Sequence, residues 1–189
     1  VIGDKIYKTA NTTPESYEIQ QAMRKMVTKG CKAMVIEASS LGLLHHRTDC
    51  ITFDYGIFTN FSHDHIGDSE HKNMEEYLQS KAILFRNCKK GIINIDDTAH
   101  TELLRDSTCE KVTYGFADSA DYSAFGDKLL ARQGFIGVHF ETKGAKTLSA
   151  DVAIPGRFSV YNALATIALC AQMGIEDEFI LKGLETVKV

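Results

Sequence analysis

The chain has no run of basic residues and a net charge of −4, so the electrostatic footprint of a general nucleic-acid binder is missing. It has no apolar stretch near the roughly twenty residues that a membrane-spanning helix needs, so no membrane insertion is expected. Its first residues, VIGDKIYK, lack the pattern of a signal peptide. The five cysteines, Cys31, Cys50, Cys88, Cys109 and Cys170, are odd in number and never form a Cys-x-x-Cys pair. That excludes a disulfide framework and a thiolate zinc site, and it fits reduced thiols in a cytoplasmic protein. Three nucleotide and hydrolase signatures are also missing. There is no phosphate-binding G-x-x-x-x-G-K-[ST], no G-x-G-x-x-G after a strand, and no G-x-S-x-G elbow. Gly144-Ala145-Lys146-Thr147 imitates the first of these, but no glycine immediately precedes its lysine and it lies in a turn between strand-like segments. The first residue is Val1 and the last residues are ETVKV, which leads us to expect a piece of a longer chain.

What is present suits one globular domain of 189 residues. Val1 to Lys8 reads as a short strand or hairpin arm. Thr13-Pro14-Glu15 reads as a helix start with a hydroxyl cap, and Ile19, Met23, Met26 and Val27 as that helix's buried stripe before Gly30. Residues 33–38, AMVIEA, have the composition of a buried parallel strand. A helix is expected over Leu41 to Arg47, a strand over Ile51 to Asn60 and a helix from near Asn73. Strands over Gly91 to Ile95 and Lys111 to Phe116 flank a short helix over Thr98 to Arg105. This alternation predicts an α/β fold, a mainly parallel sheet flanked by helices. Between 121 and 155 the pattern changes. Four strand-like segments (Tyr122 to Phe125, Leu129 to Arg132, Phe135 to Glu141, Thr147 to Ile154) are separated by turn residues and predict a small antiparallel meander within the domain 1–189. Helices over Ser159 to Gln172 and Asp177 to Thr186 close the chain.

The chemistry gathers in Ile57 to Lys81, IFTNFSHDHIGDSEHKNMEEYLQSK. A strand runs into a loop with His63, His65, His71, Asp64, Asp68 and Glu70, and then into a helix. Lys81 falls inside that helix's apolar stripe. A lysine there either carries its ammonium out past the stripe or sits in an environment that depresses its pKa. A histidine- and acid-rich loop followed by an inward lysine is what a metal or phosphate site requires. Glu37 ends the AMVIEA run, where sheets of this class bind ligands; it suits Mg²⁺ coordination, or it is half-buried beside a helix capped by Ser39. Asn11, Thr12 and Thr13 serve as helix caps or as an anion site. His45, His46 and Arg47 put ordinary positive charge at a helix end or form a carboxylate clamp.

Together these segments resemble the central domain of the Mur ligases, a P-loop-NTPase-like domain, and within that family the branch that adds the third residue to UDP-N-acetylmuramoyl-dipeptide. The resemblance rests on Asn11-Thr12-Thr13-Pro14, on Glu37-Ala38-Ser39-Ser40 through Arg47, and on Phe58-Thr59-Asn60 through Asp64-His65 with Tyr77 and Lys81. It also rests on Asn94-Ile95-Asp96-Asp97 and on Gly156-Arg157-Phe158-Ser159-Val160-Tyr161-Asn162-Ala163. The chain departs from the pattern at Leu41, His45 and Ser159, and its stretch between His65 and Lys81 is longer than the family's. The resemblance implies ATP-dependent amide-bond formation through an acyl phosphate, in peptidoglycan precursor synthesis. It implies Mg²⁺ held by Glu37, His65 and a carbamylated Lys81, which are also the catalytic groups. It implies muramoyl-dipeptide binding by Asn11, Thr12, Thr13, Ser39, His45 and Arg47, and nucleotide contacts from Asn94, Asp97 and Asn162. The partners implied are UDP-N-acetylmuramoyl-dipeptide, ATP and an amino acid, together with a P-loop segment and a C-terminal ligase domain of the same chain. Without those two parts the segment alone is expected to be inactive. Two alternatives remain at this point: a non-catalytic module that binds the muramoyl peptide, and a metal-dependent amidohydrolase, which requires an α/β barrel of about 250 residues.

Overall fold

A computed structural model describes every residue except 64, 65, 68, 69, 188 and 189. Among the described residues one sheet holds six strands in chain order: β1 Phe53–Phe58, β2 Cys88–Asn94, β3 Glu110–Gly115, β4 Tyr122–Arg132, β5 Phe135–Gly144 and β6 Ser149–Val152. Pairing is parallel from β1 to β4 and antiparallel from β4 to β6. Strands β1 and β2 are joined through α3 Met74–Arg86 and β2 and β3 through α4 His100–Leu103, while β4 follows β3 after a short loop. The helices α1 Ser16–Thr28 and α2 Ser40–Leu44 precede the sheet, and α5 Arg157–Gln172 and α6 Asp177–Thr186 follow it.

The sheet is apolar on both faces because helices cover both. On β2, Ile92 faces one core and its neighbour Ile93 the other, and both are fully buried. The first core packs Tyr114, Phe140 and Val152 against Val160, Leu164 and Ile167 of α5. The second packs Phe58 and Ile93 against Leu78, Ala82 and Phe85 of α3. The spacing of those three α3 residues is the period that the sequence showed. Asn73 caps α3, its side chain accepting from the Glu76 N–H at 2.8 Å.

Several expectations are corrected. Residues 33–38 form no strand, and Val35 is 89% exposed. Apolar composition supplies only half of a buried strand; the other half is a ladder partner, and among the described residues β1 ends the sheet on that side. Helix α1 is capped by Glu15 in a reciprocal box with Glu18, not by Thr13, whose hydroxyl is engaged elsewhere. Only Ile19 of its stripe is buried, and Val27 is exposed. Residues 1–8 make a turn with one bridge, Ile2 to Lys5. The first two segments of the meander are one strand, β4, irregular between Phe125 and Lys128 where the turn Gly126-Asp127 was expected.

Candidate functional site

The carboxyl ends of β1, β2 and β3 are level, with Phe58 beside Ile93 and Asn94 beside Tyr114. The loop leaving β1 is fixed there by its neighbours. Asn94 donates to the Thr59 carbonyl at 2.7 Å, the Tyr114 hydroxyl donates to the Phe58 carbonyl at 3.0 Å, and Asp97 accepts from the Phe61 N–H. Asn94 and Asp97, expected near a nucleotide, are therefore engaged in holding the strand-end loop. Asp96, named in sequence only as part of the Asn94–Asp97 segment and given no role there, ties three elements together. Its carboxylate accepts from the Phe116 and Ala117 N–H groups and from the Tyr161 hydroxyl on α5.

Facing this loop is a second structure built from distant segments. The Thr13 hydroxyl is fully buried and donates to the Glu37 carbonyl at 2.8 Å. It accepts from the Ser39 N–H at 2.8 Å and lies 2.9 Å from the Ser39 hydroxyl. Ser39 caps α2, accepting from the Gly42 N–H at 3.1 Å. A Cβ on Gly42 would lie 2.7 Å from the Cβ of Thr13, so this helix approaches Thr13 as closely as glycine allows.

The end of α2 explains where Arg47 goes. His46 adopts φ +60°, the His46 N–H bonds the Leu43 carbonyl and the Arg47 N–H bonds the Gly42 carbonyl, which is the Schellman pattern. That reversal returns Arg47 towards Thr13. Its guanidinium donates to the Thr13 carbonyl at 3.0 Å and pairs with Glu15 at 2.9 Å. Its Nε–H is buried with no hydrogen-bond partner among the described residues. Asn11, Thr12 and His45 are exposed around this cluster. Of the two adjacent threonines, Thr12 is therefore the one facing solvent and Thr13 the one inside.

Lys81 lies between these two structures. It is half-buried on α3, with its Nζ 5.0 Å from the centre of the Tyr77 ring. A narrow cleft of about 50 Å³, lined by Ala38, Phe58, Thr59, Asn60 and Lys81, opens beside it. Burial pulls the Lys81 ammonium below its ordinary pKa, and the carboxylates of Glu37 and Asp97 partly restore it. Glu37 and Lys81, expected together from sequence, are thus within electrostatic reach of each other. His65 lies outside the described residues, and among the described residues no group of three acids, histidines or cysteines could hold a metal ion. His63 is exposed. His71 is fully buried.

Asn162 is separate. It sits exposed on α5, at the rim of an apolar cleft of about 500 Å³ between α5, α6 and β6 that includes Val152, Ile154, Phe179 and Leu184.

The sequence and the fold that carry this site are matched by known proteins. Residues 1–170 match the family model of the Mur ligase middle domain. The chain belongs to the Mur ligase family. It is 38% identical over 183 residues to a UDP-N-acetylmuramoyl-L-alanyl-D-glutamate–2,6-diaminopimelate ligase of Clostridium acetobutylicum, covering 97% of this chain and 37% of that protein. It is 39% identical to the ligase of that name from Caldanaerobacter subterraneus, covering 100% of this chain and 38% of the relative. A solved diaminopimelate ligase of that name superposes with TM-score 0.80 at 22% identity, covering 92% of this chain and 36% of the other. MurF from Acinetobacter baumannii superposes with TM-score 0.66 at 19% identity over 76% of this chain and 31% of the other. The Mur ligase chain described here thus spans a little over a third of the length of those curated relatives. The mainly parallel α/β sheet with its antiparallel extension is the fold expected of the family. The open sheet, in order β1 to β6, is not the barrel that an amidohydrolase requires.

Proposed function

We propose that this chain is the central domain of an ATP-dependent carboxylate–amine ligase. Its substrates would be UDP-N-acetylmuramoyl-L-alanyl-D-glutamate and 2,6-diaminopimelate, the compounds in the names of its relatives. The observation that carries the reading is Lys81, half-buried at the carboxyl end of the sheet and in the field of Glu37. The substrate carboxylate takes the γ-phosphoryl group of ATP, releasing ADP and leaving an acyl phosphate. The amine then attacks the acyl carbon, the C–O bond to phosphate breaks, an amide forms and inorganic phosphate leaves.

The chain's own residues position these groups. Arg47 keeps 18% of its side chain exposed, and the planar guanidinium suits a carboxylate or phosphate oxygen of the muramoyl peptide. Thr12, Asn11 and His45 face the same solvent-exposed surface and would contact the substrate, while Thr13 and Ser39 hold the segment in shape. Asn94 and Asp97 act through the strand-end loop, and the family resemblance assigns Asn162, exposed on α5, a contact with the nucleotide.

The donor set suits Mg²⁺ held by Glu37, His65 and Lys81. Depression of the lysine pKa favours the neutral amine, the form that captures CO₂ as a carbamate, and Glu37 contributes carboxylate oxygen. Bound there, the ion would neutralise charge on the transferring phosphoryl oxygens. Among the described residues no helix is long and apolar enough to cross a membrane; the reading itself, a reaction that consumes ATP, is a cytoplasmic one.

The test is to express the whole protein that contains this chain and supply ATP, Mg²⁺, the muramoyl dipeptide and diaminopimelate. One phosphate released per tripeptide formed, with both lost in Lys81→Ala, is the expected result. Absence of tripeptide in the wild type would overturn the reading. Dipeptide binding without ATP turnover would favour the non-catalytic module.

A further inference from the structure

The histidine-rich loop suggests three candidate ligands, but His71 points elsewhere: it is fully buried and cannot touch a solute. Its Nε2 shares a 2.8 Å hydrogen bond with the Ser40 hydroxyl in the first turn of α2. Its ring lies against Tyr77 of α3, with centroids 5.1 Å apart and planes 28° apart. Its Nδ1 is 3.7 Å from the Glu76 carboxylate. Tyr77 is itself buried; its ring also packs on Phe61 at 4.7 Å and carries the Lys81 ammonium at 5.0 Å. Ser40 follows Ser39, which shares with Glu37 the hydroxyl of Thr13.

A continuous path therefore runs from Glu37 through Thr13, Ser39, Ser40, His71 and Tyr77 to Lys81. Resting on the ligase reading, we infer that His71 is a positioning residue that sets the separation between the Glu37–Arg47 segment on α2 and Lys81 on α3. The residue type follows from the geometry. A phenylalanine would keep the stack on Tyr77 but leave the Ser40 hydroxyl without its partner. An asparagine would keep a hydrogen-bonding group but lose the ring that seats Tyr77. Only an imidazole does both here. The dependence of reaction rate on placement is steep: about 1 Å of misplacement in a catalytic centre costs on the order of 100-fold. A tie between two helices can therefore govern turnover without touching substrate.

The experiment uses the whole protein that contains this chain, with His71→Phe, Ser40→Ala and the double variant. Ligation is followed at 25 °C and thermal unfolding is followed in parallel. The expected result is a fall in kcat on the order of 10-fold or more in each single variant, with the KM for ATP within about 2-fold. The double variant should be no worse than the poorer single, because both changes break one bond. Should His71→Phe not fold, Ser40→Ala removes the same bond from the other side. If the wild type ligates and both single variants match it, the inference fails while the ligase reading stands. If the two losses multiply in the double variant, the Ser40 bond is not the route and the inference also fails. If the wild type forms no tripeptide, the ligase reading fails, and the inference that rests on it fails too.

Discussion

Replacing Thr13 by valine separates two roles that look alike in sequence, a brace and a ligand contact. Valine matches threonine in shape and removes only the hydroxyl. That hydroxyl donates once, to the Glu37 carbonyl, and accepts from the Ser39 N–H and the Ser39 hydroxyl, so one donor and two acceptor positions are all used. A net hydrogen bond is worth about 1 kcal/mol, and a buried group left without a partner costs about 1–3 kcal/mol. The three partners are partly buried, so water satisfies some of them, and the expected loss is about 2 kcal/mol. For a domain of this size that corresponds to a fall of about 4–8 °C in Tm. Thr13→Ser keeps the hydroxyl and loses one methyl, about 0.8 kcal/mol. Thermal unfolding of the wild type, Thr13→Ser and Thr13→Val should therefore give three values in that descending order. If Thr13→Val is as stable as Thr13→Ser but binds the muramoyl dipeptide more weakly, the hydroxyl serves the ligand and the brace argument is refuted.

Gly42→Ala places a Cβ 2.7 Å from the Cβ of Thr13, and overpacking of this kind should cost about 1–3 kcal/mol, read as a lower urea midpoint at unchanged m-value. His46→Gly should do the opposite: His46 holds φ +60° at the position where glycine is most at ease, so Tm should rise by a few degrees, about 1 kcal/mol, with ligation unchanged. The Cys88 thiol is pushed up to about 12 by burial and, after that, by the adjacent Cys109. Between the ordinary thiol pKa near 9 and that value the unfolded chain has lost a proton that the native state keeps, so stability must fall as pH rises through this window. Urea midpoints at pH 8 and pH 10 should show a smaller fall in Cys88→Ala than in the wild type. The same burial predicts that iodoacetamide modifies exposed Cys50 well before Cys88.

The exposed apolar residues around 33–38 show how far composition can be read. The AMVIEA run has the residue types of a buried strand, yet Val35 is 89% exposed and no described strand lies beside it. Helices α3 and α5 were legible because their apolar periods are local properties of consecutive residues, and α3 has its Asn73 cap besides. Thr13 was read as a cap for the same reason, since Thr-Pro-Glu is a local helix-start pattern. Its true partners, Ser39 and Glu37, lie 26 and 24 residues away. Lys81 stood out in sequence as a charge inside an apolar stripe, and the structure gives that oddity its cause in burial next to Glu37 and Asp97.

The sequence by itself determined the alternation of strand and helix from β1 to β3, the strand-rich stretch after 121, and the residue types that carry the chemistry. These depend on spacing and side-chain chemistry along short stretches. The loss of a strand at 33–38 and the parallel pairing of β4 with β3 were decided by the fold. Tertiary structure decided which polar groups are occupied and which remain available. It turned Thr13, Asn94 and Asp97 inward as supports, and left Thr12 and His45 on the surface. It also gave His71 a buried bond instead of an open site. Each of those assignments depends on a partner many residues away, brought within hydrogen-bonding distance only when the sheet and its helices pack.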